Sequence, residues 1–109
     1  MVSYSIGIVD LEARSDPEMR EMPSFALKQE VKLKPRGGNE NFINDAEKVF
    51  GEGTWIDWGS QLFSGSYEQM CAFLDLADAA QECRNAIDAM PHDAIFGFVW
   101  VEHVWGNSY

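Results

Sequence analysis

Ser24-Phe25-Ala26-Leu27-Lys28-Gln29-Glu30-Val31-Lys32-Leu33-Lys34 puts Phe25, Leu27, Gln29, Val31 and Leu33 on one face and Ala26, Lys28, Glu30, Lys32 and Lys34 on the other. A period of two with one charged side belongs to an antiparallel strand with a solvated face, because parallel strands are covered on both sides. The three lysines read first as a solvated face that discourages edge pairing, and second as a place to hold an anion. Residues 2–10 repeat the period, with Val2, Tyr4, Ile6 and Ile8 alternating with Ser3, Ser5 and Gly7. Residues 93–105 differ. Ile95, Phe96, Phe98, Val99, Trp100 and Val101 place apolar groups on both faces, which predicts a central strand. Residues 54–58 give a short strand, with Thr54, Ile56 and Trp58 on one side and Trp55 and Asp57 on the other.

Helical periods fill the gaps. After the Pro35-Arg36-Gly37-Gly38 turn signal, Phe42, Ile43, Ala46, Val49 and Phe50 share one helical face, with Asn39 or Asn41 to cap it and Gly51 and Gly53 where it should stop. Residues 59–65 read as loop. Ser66 and Gln69 have the spacing of a capping box, and the helix they open is expected to run to Met90, before Pro91. Phe73, Leu76, Ala80, Cys83, Ile87 and Met90 make its apolar stripe, for which core packing is the ordinary reading. Cys71 and Cys83 would then lie about 18 Å apart at 1.5 Å per residue, too far for a disulfide. Residues 11–23, charged and holding Pro17 and Pro23, read as a long loop, a class that is functional or mobile. The expected fold is α+β, in the order β-β-α-β-α-β: a four-stranded antiparallel or mixed sheet with two helices packed on it.

The chain has 109 residues, 46% of them hydrophobic, which suits one compact domain spanning residues 1–109 and is too apolar for a disordered tail. No apolar run approaches the roughly 20 residues of a membrane span, and the first residues lack the pattern of a signal peptide. A cytoplasmic protein with no membrane partner is expected. The charge is lopsided. Six acids balance six bases in residues 1–36, whereas residues 37–109 hold twelve acids and only Lys48 and Arg84 as bases, which accounts for the net charge of −10. Such a field disfavours direct contact with nucleic acid, itself a polyanion, and suits a basic protein partner.

On one continuous helix Glu68, Asp75, Asp78 and Glu82 fall within a sector of roughly 80°, nearly opposite the apolar stripe. Asp75 and Asp78 are about 4.5 Å apart in rise, and Asp78 and Glu82 about 6 Å. Arg84, the one base on that helix, leaves the row without i,i+4 partners. A carboxylate row at this pitch resembles the charge spacing of a nucleic-acid strand and could enter a groove built for one. The plain alternative is a solvated helix face. Trp55, Trp58, Phe63 and Tyr67 cluster in sequence beside Asp57 and Glu68, and large aromatics next to acids suit a protein-binding patch if a ring is exposed. Trp105 and Tyr109 repeat the pattern more weakly.

Catalytic groups are sparse. His92-Asp93 and Glu102-His103 would lie about 30 Å apart along an extended strand at 3.3 Å per residue. Cys71 lies near carboxylates, which disfavour a thiolate. There is no phosphate-binding glycine loop, paired-histidine zinc helix or Gly-x-Ser-x-Gly elbow, and two cysteines alone do not make a four-ligand zinc site. The expectation is a non-enzymatic protein without cofactor or metal, monomeric or homodimeric, that binds and inhibits a basic, nucleic-acid-binding protein. Anti-CRISPR, antirestriction and toxin-immunity proteins share these gross properties, a likeness of type without a shared motif. The candidate contacts are Glu68, Asp75, Asp78, Glu82, Asp57, Trp55, Trp58 and Tyr67. An oligomerising domain whose acidity only serves solubility, and a small-molecule site near Trp100, Glu102 and His103, are the rival expectations.

Overall fold

A computed structural model of the chain describes residues 2–9, 27–34, 41–57 and 59–102. The residues 11–23 loop, Trp58, His103, Trp105 and Tyr109 lie outside the described residues. The strands are β1 (Val2–Val9), β2 (Leu27–Lys32), β3 (Thr54–Asp57), β4 (Ser60–Gly65) and β5 (Phe96–Glu102). The helices are α1 (Phe42–Phe50), α2 (Tyr67–Leu76) and α3 (Gln81–Asp88). The strands form one antiparallel sheet in the order β2-β1-β5-β4-β3, so the fold is α+β.

The sheet has five strands and not four, and the described residues hold three helices and not two. The fifth strand is β4, in the stretch expected to be loop. Ser60-Gln61-Leu62-Phe63-Ser64 alternates weakly because Ser60, Gln61, Leu62 and Phe63 are all buried between β3 and β5, so neither face carries a charge to mark it. The central position expected for residues 93–105 is occupied by β5, paired with β1 on one side and β4 on the other.

The two sheet faces bury separate clusters. Ile6, Phe63, Phe96 and Phe98 join Phe42 and Ala46 of α1, Met70, Phe73 and Leu74 of α2, and Cys83 and Ile87 of α3. Val9, Leu27, Leu62 and Val99 are buried on the opposite face. Leu27 and Val31 were expected on one face, yet they belong to different clusters. A bulge explains this: Ile6 pairs with Val31 and Ile8 with Lys28, so β2 spends one residue more than β1 and its alternation changes phase. Gln29 takes the left-handed conformation there, with φ 53°. Gly7 faces the bulge, and a Cβ on it would lie 2.7 Å from the Lys28 carbonyl oxygen, so only glycine admits the approach.

α1 starts and stops where its signals place it, with Gly51 closing it at φ 86°, but Asn41 holds the N-cap position without a side-chain cap hydrogen bond, and Asn39 lies outside the described residues. At the start of α2 both capping-box bonds are present: the Gln69 N–H donates to Ser66 Oγ at 3.2 Å, and the Ser66 N–H to Gln69 Oε1 at 2.9 Å.

The expected continuous helix over residues 66–90 is broken. Asp78 has φ 53°, its N–H donates to the Asp75 carbonyl at 3.2 Å, and the Ala79 N–H donates back to the Leu74 carbonyl at 3.0 Å. That bond pair, with buried Ala79 against buried Leu74, is a Schellman motif with an aspartate at the left-handed position usually held by glycine. The Ala80 N–H then donates to the Lys34 carbonyl at 2.9 Å, tying the break to the end of β2. The apolar stripe changes phase with the break. Phe73, Cys83, Ile87 and Met90 are buried, but Leu76 is 45% exposed and Met70, Leu74 and Ala77 point inward instead.

Candidate functional site

With the helix broken, Glu68, Asp75, Asp78 and Glu82 do not form one row. Glu68 lies in the first turn of α2, Asp75 near its end, Asp78 in the reversal and Glu82 in the first turn of α3. All four are exposed. Glu68 and Glu82 each favour their helix N-termini electrostatically. Residues 66–93 also expose Asp88 and Asp93, which makes six carboxylates against a single Arg84.

The acids were expected to lack i,i+4 partners; Arg84 pairs with Asp75 from nine residues away. Its Nη1 pairs with the Asp75 carboxylate, its Nη2 donates to the Leu74 carbonyl at 3.2 Å and its Nε to the Ala79 carbonyl at 3.3 Å. The guanidinium thus sits at the carbonyl end of α2, where a cation is favoured, and ties that end to the turn that follows it. Lys34 reaches Glu82 at 3.4 Å, with both side chains well exposed, so this pair contributes little to stability. Sequence spacing does not show either pair, since Arg84 lies beyond i+4 of Asp75 and Lys34 comes from another element.

A groove of about 300 Å³ runs between α2 and α3, lined by Cys71, Leu74, Asp75, Gln81, Arg84, Ile87 and Asp88. Tyr67 is close by. Its hydroxyl donates to the Asp88 carboxylate, and its ring stacks on His92 with centroids 3.8 Å apart and planes 12° apart. His92 Nε2 donates to the Asp88 carbonyl at 3.0 Å, which closes the cluster. The hydrogen bond to Asp88, helped by the Cys71 thiol, holds the Tyr67 hydroxyl well above the usual tyrosine range. Cys71 and Cys83 are free thiols, the first half-buried and the second fully buried with its Sγ 3.5 Å from the Lys32 carbonyl.

The aromatic group expected from the sequence divides into three. Phe63 is 1% exposed and belongs to the core, against Phe98. Tyr67 packs on His92 and Phe96. Trp55 on β3 is 58% exposed and meets Trp100 edge-on, with centroids 5.8 Å and planes 82° apart. Trp55, Gln61 and Trp100 are successive cross-strand neighbours, and Trp100 Nε1 donates to Gln61 Oε1 at 3.1 Å. Trp100 was absent from the expected contact residues because residues 93–105 read as core; its cross-strand position beside Gln61 is set by pairing. Asp57 ends β3, and Trp58 lies outside the described residues.

Among the described residues no group of three or more His, Cys, Asp or Glu side chains could hold a metal ion, and no helix is long and apolar enough to cross a membrane. Comparison with family models, curated proteins and solved structures matches this chain to none of them.

Proposed function

We propose that this protein binds a basic protein surface through the acidic layer of α2 and α3, acting in the cytoplasm as a small inhibitor of a nucleic-acid-binding partner. The observation that supports this reading most is the six exposed carboxylates of residues 66–93, whose one arginine is turned inward onto the end of α2. An inward arginine stiffens the layer while offering little positive charge to a visitor. Carboxylates displayed from two short helices and the turn between them present a patch of charge rather than a line. Such a patch would compete with a nucleic acid for a cationic groove and draw the partner in by electrostatic steering.

Asp75 is engaged by Arg84, so the acids chosen for neutralisation are Glu68, Asp78 and Glu82, which leaves the Arg84–Asp75 pair in place. Affinity capture from host lysate with the native chain and with the Glu68→Gln/Asp78→Asn/Glu82→Gln variant tests the reading. A basic protein enriched by the native chain and lost with the variant supports it. Equal capture by both moves the interface away from the helical layer. A second reading, self-association through the sheet edge, is supported by the exposure of Trp55 on β3.

A further inference from the structure

We infer that the outer edge of β3 receives an extended basic segment of the same partner as an added strand, with one of its arginine or lysine side chains lying on Trp55; this inference rests on the basic-partner reading above.

The argument starts from position. Among the described residues β3 is the last strand of the sheet, and it pairs only with β4. An edge strand turns alternate backbone N–H and C=O groups outward, and these can pair with another extended chain. Thr54 and Trp55 are exposed there, so the edge is reachable. A large indole on open surface loses apolar burial, yet this one is held: Trp100 meets it edge-on, and Gln61 fixes Trp100 by a hydrogen bond. Gly53 brings the chain into β3 over the Phe63 ring, where a Cβ would lie 2.8 Å from a ring carbon. The platform is therefore fixed before any partner arrives, which lowers the ordering cost of binding.

Charge selects the occupant. Glu52 is exposed two residues before β3, and Glu102 is exposed two residues beyond Trp100 on the same face of β5. The Glu102 N–H donates to the Gly59 carbonyl at 2.7 Å, which anchors this end of the sheet. An indole face attracts a guanidinium or ammonium group by its quadrupole, and the net negative charge of the chain adds to that attraction. A second copy of this chain is a poorer occupant, since it carries the same net charge of −10.

The test uses the full chain and a synthetic seven-residue peptide alternating arginine and threonine, titrated by NMR. The expected result is that the amide signals of residues 54–57 and the indole signals of Trp55 and Trp100 shift together. Trp55→Ala should weaken the peptide about tenfold, with Trp55→Phe in between, because indole is the best cation acceptor of the aromatic side chains. The Glu68→Gln/Asp78→Asn/Glu82→Gln variant should still bind it at β3. Three results would overturn the inference: shifts confined to α2 and α3, affinity unchanged by Trp55→Ala, or a mass that doubles with concentration and reverts in Trp55→Ala. The first of these leaves the acidic-layer reading standing. Loss of capture by the helical variant tests that reading separately.

Discussion

Arg84 of α3 binds Asp75 of α2 and, with the same guanidinium, the Leu74 carbonyl of that helix and the Ala79 carbonyl of the turn that follows it. The arginine thus does two jobs of unequal weight. The ion pair is largely exposed on the Asp75 side, whereas the guanidinium is only 25% exposed and adds a donor to the Leu74 carbonyl, which also accepts from the Ala79 N–H, and one to the Ala79 carbonyl.

It follows that the two partners should respond differently to removal. Asp75→Asn is expected to cost less than about 0.5–1 kcal/mol, the usual range for an exposed pair. Arg84→Ala should cost about 1–2 kcal/mol, because it also removes the hydrogen bonds to the Leu74 and Ala79 carbonyls that join α2, the turn and α3. Urea unfolding of both variants checks this; equal losses would mean that the carbonyl contacts add nothing.

Asp78 occupies the left-handed position of the Schellman motif. Asp78→Gly is expected to stabilise the chain by about 0.5–1 kcal/mol, and Asp78→Val to destabilise it by about 1–2 kcal/mol. Thermal unfolding measures both, and a stabilising valine would contradict the described reversal.

This break also marks where the sequence ceases to be readable. Capping at Ser66 and Gln69, the ends of α1 and the central place of β5 follow from local residue patterns, and each is found. An aspartate in a left-handed turn carries no such signal, since the apolar positions on either side continue a plausible helical period. The β2 bulge is equally silent, for Gln29 looks like any other strand residue. The candidate site was therefore legible in its composition but not in its layout. The acids are exposed as expected, while the partners of Asp75 and Glu82 come from folding back and from another strand.

Tyr67 should ionise above the usual tyrosine range. Its pKa is raised by the bond to Asp88 and by Cys71, so its stabilising effect is complete below the unfolded value of about 10 and is lost as pH rises through the higher folded value. Compared with Tyr67→Phe, the native chain should hold a constant stability difference up to about pH 10 that narrows above it. Urea titrations across that range, with absorbance at alkaline pH to follow ionisation, would expose the opposite trend.

The two thiols differ in access. Cys71 lines the α2–α3 groove and is half-buried, whereas Cys83 is fully buried in the core. A thiol reagent should modify one cysteine per native chain, Cys71, and reach Cys83 only on unfolding. Mass spectrometry of the labelled chain locates the site, and early modification of Cys83 would contradict the packing of α3.

The central claim is that the acidic layer of α2 and α3 recognises a basic surface. The most direct measurement is the affinity of the captured partner for the native chain and for Glu68→Gln/Asp78→Asn/Glu82→Gln at several salt concentrations. Binding through the layer predicts that native affinity falls steeply with salt, that the variant binds at least about tenfold more weakly with a flatter salt dependence, and that both remain folded. An affinity that is unchanged in the folded variant and indifferent to salt would contradict it.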